Sequence, residues 1–133
     1  MPVKSLDHIN IITDKLDETC EFYAQLLGLE RRNPPMELPP AAVQWMYDPS
    51  GRALFHITTP EFRGKVPVAG PAISPTGMID HIALDCSDFP DMLERLKAMG
   101  LDYRASGMDS VRLKQLFVSD PNQVLLELNF RGE

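Results

Sequence analysis

The 133-residue chain carries one pattern twice, and that repetition constrains its fold more than any other feature. Leu6-Asp7-His8-Ile9-Asn10-Ile11 returns 73 residues later as Ile79-Asp80-His81-Ile82-Ala83-Leu84. Leu27-Gly28-Leu29 returns as Met99-Gly100-Leu101, and Asp48-Pro49 as Asp120-Pro121, both at an offset of 72. Last, His56 in Leu54-Phe55-His56-Ile57 is answered at an offset of 71 by Glu127 in Leu125-Leu126-Glu127-Leu128. Landmarks that recur in the same order at nearly one spacing mark a duplicated structural unit.

The local pattern inside each copy is the same. Leu6 to Ile12 alternates in character as a strand does, with His8, Asn10 and Ile12 on one face and Asp7, Ile9 and Ile11 on the other. Thr13 or Asp14 can cap a helix whose stripe is Leu16, Cys20, Tyr23 and Leu27, with Gly28 at its left-handed end. In the second copy Asp88 caps, Pro90 sits in the first turn, Met92, Leu93, Leu96 and Met99 form the stripe, and Gly100 ends it. Strands are then expected at 44–47, 54–58, 116–119 and 124–130, and the final pair in each copy is joined by an Asp-Pro turn. The prolines between Asn33 and Pro40 blur the second strand of the first copy. Four prolines and three glycines between Thr59 and Gly77 read as a linker or mobile loop. The chain is thus expected to be one α+β domain over 1–133, with module one about 4–58, a linker about 59–77 and module two about 78–131.

Composition narrows the class. With 44% hydrophobic and 24% charged residues the chain can bury a real core. Thirteen basic against nineteen acidic residues leave a net charge of −6, which argues against nucleic acid or an anionic membrane surface as partner. No apolar run approaches the roughly 20 residues of a membrane span, and Met1-Pro2-Val3-Lys4 lacks the apolar core of a signal peptide, so a cytoplasmic location is expected. The two cysteines, Cys20 and Cys86, have neither disulfide density nor zinc-type spacing and read as small buried thiols.

Strand alternation separates two faces. Phe55, Ile57, Leu126 and Leu128 fall with Ile9, Ile11, Ile82 and Leu84 on a face expected to be wholly apolar under the helices. The opposite face holds all three histidines, His8, His56 and His81, together with Glu127. Each alone is better read as a satisfied half-buried side chain, but their recurrence at matching points of a repeat makes metal binding the favoured reading. Three imidazoles and a carboxylate suit Zn, Ni, Co, Mn or Fe(II). Trp45, Tyr47, Gln115 and Phe117 lie on strands near that face, although core packing is the better account of the aromatics.

The pattern resembles the vicinal oxygen chelate superfamily, which includes glyoxalase I, methylmalonyl-CoA epimerase, extradiol dioxygenases, fosfomycin-modifying transferases and bleomycin-resistance proteins. The resemblance is carried by the two His-containing hexamers, by Phe22-Tyr23 through Leu27-Gly28-Leu29, and by Phe117-Val118-Ser119-Asp120-Pro121 through Leu126-Glu127-Leu128. It implies two tandem βαβββ modules curling into an incomplete barrel around a metal, with ligand positions at His8, His56, His81 and Glu127. It also implies a small-molecule substrate and a homodimer.

The reaction it implies is that of a divalent-metal-dependent lyase or isomerase of the glyoxalase I kind, acting on a substrate with vicinal oxygens. Glu127 and His56 are its candidate catalytic groups. Where relatives of that kind carry Glu or Gln, this chain has His56, which also suits an extradiol-type Fe(II) dioxygenase with His8, His81 and Glu127 as ligands and His56 as acid or base. The extra basic residues expected beside a phosphonate are not evident in the sequence. The third reading is a metal-free drug-binding protein of the bleomycin-resistance kind, for which three histidines and a glutamate at these points are superfluous.

Overall fold

The computed structural model describes residues 6–65, 79 and 81–133. The chain divides into two compact units, Met1–Ala72 and Ile73–Glu133. Unit one runs β1 (Ile9–Ile12), α1 (Leu16–Leu27), β2 (Glu30–Arg32), β3 (Val43–Tyr47), β4 (Ala53–Thr58) and α2 (Pro60–Lys65). Unit two runs β5 (Ile82–Cys86), α3 (Phe89–Ala98), β6 (Tyr103–Met108), a single 3-10 turn, β7 (Leu113–Ser119) and β8 (Leu125–Arg131). Each is a βαβββ module with one open four-stranded sheet, ordered β1-β4-β3-β2 and β5-β8-β7-β6. First and last strands pair in parallel and the rest antiparallel. The α+β class and tandem architecture expected from the repeat are therefore present, and neither sheet closes on itself.

In unit one, α1 buries Leu16, Thr19, Cys20, Phe22, Tyr23 and Leu26. The stripe thus runs through Leu26 rather than Leu27, because Phe22 and Leu26 extend the face that Cys20 and Tyr23 begin. Tyr23 stacks on Phe55 of β4 at 4.3 Å, and Met46 and Ile57 are fully buried beside them. Burying each such side chain is worth about 1.5–3 kcal/mol. In unit two Phe89 meets Phe130 edge-on at 5.3 Å, and Leu96, Leu116, Leu126 and Leu128 are fully buried. Cys20 lies in the core of unit one, whereas Cys86 in unit two is only half-buried, and both are free thiols.

Several expectations need correction. Lys15 occupies the N-cap of α1 and no side chain caps it; the Thr13 hydroxyl instead accepts from the Lys15 amide in the preceding turn. Asp88 does cap α3, accepting from the Asp91 amide, and Glu133 satisfies two further free donors of that helix end, the Asp88 and Phe89 amides. The helix-covered face of sheet one is not wholly apolar. Gln44 is buried there, accepting from Arg31 and donating to Asn33, while Arg31 also binds Asp17. Residues 60–65 of the expected linker form α2, and 66–77 lie outside the described residues. Among the described residues no helix is long and apolar enough to cross a membrane.

The two Asp-Pro turns are built alike. Asp48 Oδ1 accepts from the amides of Ser50 and Arg52, and Asp120 Oδ1 from those of Asn122 and Val124. The fourth residue is left-handed in both, Gly51 at φ 88° and Gln123 at φ 67°. Only the first of these is free of the Cβ penalty. Replacement Gln123→Gly is expected to raise stability by about 0.5–1 kcal/mol, and Asp120→Ala to lower it by about 1–3 kcal/mol by leaving turn amides unpaired. Urea denaturation of the two variants checks both signs.

Candidate functional site

The parallel pairing of first and last strands sets the polar residues of each module beside one another. β1 and β5 begin one residue after His8 and His81, so both histidines stand at strand entrances rather than within paired strand. His56 and Glu127 lie inside β4 and β8, opposite Asn10 and Ala83.

In module one, His56 is sandwiched. Its ring lies 3.7 Å from that of His8 at 11°, and 3.8 Å from that of Trp45 at 6°. Trp45 is the cross-strand partner of His56, so the indole faces the site and not the core, contrary to the packing expected for it. Tyr47 and Arg32 extend the row, with the guanidinium 4.4 Å above the phenol ring. Burial, aided by the neighbouring His8, pushes the His56 imidazole down to about 4, although Asp7 opposes the shift. His56 is therefore uncharged at neutral pH.

His8 Nδ1 is hydrogen-bonded to Asp7 Oδ2. A carboxylate only accepts, so Nδ1 carries a proton, which leaves Nε2 as the lone-pair nitrogen of the neutral tautomer. That bond is the largest cause holding the exposed Asp7 carboxyl below its ordinary value. Strand alternation placed Asp7 on the far face, but the strand starts only at Ile9 and the rule does not reach it.

In module two, His81 Nε2 stands 3.8 Å from Glu127 Oε1. The other carboxylate oxygen, Oε2, accepts from Asn129 Nδ2 at 2.9 Å, and Asn129 Oδ1 accepts from Gln115 Nε2 at 3.0 Å. Asn129 is buried and Glu127 half-buried. Phe117 faces Glu127 across the strands, and Arg104 lies 4.7 Å over its ring. Arg32 and Arg104 supply basic groups near the site in both modules; register, not spacing in the sequence, reveals them.

The donors can be tested against an ion. With metal–ligand bonds of about 2.0–2.2 Å, two ligand atoms can stand no more than about 4.4 Å apart, and the His81–Glu127 pair at 3.8 Å satisfies this. His8 has the carboxylate-backed imidazole that metal-ligating histidines commonly show. The stacked rings of His8 and His56, by contrast, have nearly parallel planes, so their in-plane lone pairs do not converge on one point. Among the described residues, no group of three or more His, Cys, Asp or Glu side chains is gathered within either module as an ion would need.

A duplicated βαβββ chain with polar residues at matching strand positions defines a class of two-module α+β proteins. The chain belongs to the Glyoxalase/Bleomycin resistance protein/Dioxygenase superfamily, whose family model matches residues 5–128. It is 27% identical over 126 residues to Glyoxylase I 4 of Arabidopsis thaliana, covering 93% of this chain and 69% of that protein. Among solved structures it is similar to lactoylglutathione lyase from Agrobacterium tumefaciens, with TM-score 0.70 and 16% identity over 97% of this chain and 95% of that one. It is also similar to the fosfomycin resistance protein FosX of Listeria monocytogenes, with TM-score 0.67 and 17% identity over 96% and 93% of the two chains. A variant of that protein, with TM-score 0.68 and 18% identity over 97% of this chain and 93% of that one, was solved with Mn(II) and 1S,2S-dihydroxypropylphosphonic acid.

The depressed His56 value has a measurable consequence. Below pH 6.5 the unfolded chain protonates this imidazole while the folded one does not until about pH 4. Folded stability is expected to fall as pH drops from 6.5 toward 4. His56→Gln should flatten that part of the pH profile of the thermal midpoint, and NMR of the wild type should show His56 titrating well below a free imidazole.

Proposed function

We propose that the chain is a divalent-metal-dependent enzyme of the glyoxalase I kind, a lyase or isomerase acting on a small molecule with adjacent oxygens. The observation that carries this reading is Glu127, fixed by Asn129 on one oxygen and presenting the other 3.8 Å from His81. The reading is supported by membership of the superfamily and by the glyoxalase-named relative in Arabidopsis thaliana. The candidate ligands are His81 and Glu127 in module two and His8 in module one, and His56 is a free base.

The ion would supply Lewis acidity toward the two substrate oxygens. Glu127 would move a proton at the carbon beside the carbonyl only with Oε1 free of the ion, Oε2 being held by Asn129. His56 is neutral at physiological pH and can accept a proton from a substrate hydroxyl, while Trp45 holds its ring in place. Asp7 keeps His8 in one tautomer, with Nε2 available.

Elemental analysis of protein purified without added metal or chelator, followed by titration of the apo form with Zn, Ni, Co, Mn and Fe(II), tests the reading. Near-stoichiometric zinc, nickel, cobalt or manganese is the expected result. His8→Ala, His81→Ala and Glu127→Ala should each weaken binding by at least about tenfold, because a lost ligand in a small site is poorly compensated. Near-stoichiometric iron would instead favour ring cleavage with dioxygen. Absence of binding, or full binding by all three variants, would overturn the ion site.

A further inference from the structure

Module two contains a hydrogen-bond relay that the fold itself does not require. The relay runs from Gln115 on β7 through Asn129 on β8 to Glu127, two residues back on the same strand. Its polarity is dictated from the Glu127 end. A carboxylate only accepts, so Asn129 must turn its NH2 toward Oε2 and its carbonyl away. That carbonyl then needs a donor, and the Gln115 amide provides it at 3.0 Å. Either amide reversed would set acceptor against acceptor or donor against donor.

Module one gives an internal control. In register, His56 corresponds to Glu127, Thr58 to Asn129 and Val43 to Gln115. The same two strands pair over the same positions, yet Val43 has no polar side chain, and the Thr58 hydroxyl donates to Asn10 at 3.2 Å. Thr58 and Asn129 are similarly buried, at 7% and 6% exposure. The fold therefore accommodates Val and Thr at these points. The amides occur only where the residue between the strand entrance and the relay is a carboxylate.

We propose that Asn129, itself held by Gln115, is a positioning residue that fixes the Glu127 carboxylate for one-oxygen coordination of a divalent ion. This rests on the ion-binding reading above. With Oε2 held by a buried amide, rotation of the carboxylate about its last bond is restricted, and Oε1 is the oxygen presented beside His81 Nε2. Without the relay both oxygens become equivalent, and an ion must order the carboxylate when it binds.

The test transplants module one's residues into module two. Apo wild type, Asn129→Thr, Gln115→Val and the double variant are titrated with Mn(II), the unbound ion being read by its electron paramagnetic resonance signal. Circular dichroism and thermal midpoints verify the fold. Asn129→Thr is expected to weaken Mn(II) binding by about 10–100-fold. Gln115→Val should weaken it by a smaller factor, and the double variant no further than Asn129→Thr, since the two residues act in series. Asn129→Gln, which keeps the donor, should recover part of the loss, a recovery that general loosening of the strand would not produce. If wild type binds Mn(II) and folded Asn129→Thr binds it within twofold, the positioning role falls and the ion site stands. If no divalent ion binds wild type, the ion site and the positioning role fall together.

Discussion

The parallel pairing of the first strand with the last, made once in each module, is the constraint on which the rest of the structure depends. It forces a helix to cross over the sheet, which buries Tyr23 and Leu26 in one module and Leu96 in the other. The same pairing brings the entrance of the first strand beside the middle of the last. His8 thereby meets His56, 48 residues away, and His81 meets Glu127, 46 residues away, separations that no single helix or tight hairpin bridges. Core and candidate site are two faces of one pairing event. A register slip of one residue in β4 or β8 would exchange Phe55 for His56, or Leu126 for Glu127, between core and site.

Much of this was legible in the sequence, and the parts that were share a physical basis. Repetition, strand alternation, the Asp-Pro turns and the glycine at the end of α1 are all local signals, and each corresponds to an element of the structure. The two-face assignment of β4 and β8 followed from period-two geometry and placed Phe55, Ile57, Leu126 and Leu128 in the core. Asp7 escaped because alternation ends where pairing ends, and pairing begins only at Ile9. Trp45 against His56 and Gln115 against Asn129 escaped for another reason: these contacts are set by cross-strand register, which composition and spacing do not encode. Gln44 reads as a polar break in an apolar strand until Arg31 and Asn33 are seen to satisfy it.

Duplication would, by itself, make the two halves alike, and the backbone largely is. The chemistry beside each candidate group is different. His56 is held by flat contacts, between His8 and Trp45, which suit an uncharged ring and would desolvate a charged one. Glu127 is held by a directed amide donor, which binds an anion more strongly than a neutral acceptor. The neighbours are thus matched to the charge of the group they support.

That matching explains why one module cannot substitute for the other. Exchanging His56 and Glu127 would set a carboxylate between two aromatic faces with no amide donor across the strand, since Val43 and Thr58 occupy those positions. It would also take the imidazole away from the two flat rings of His8 and Trp45 that flank it. Both groups would lose what holds them, even though the backbone positions are equivalent. The asymmetry between the modules therefore lies in the supporting side chains at least as much as in the candidate ligands themselves, and a site built on a repeated scaffold becomes directional through its neighbours.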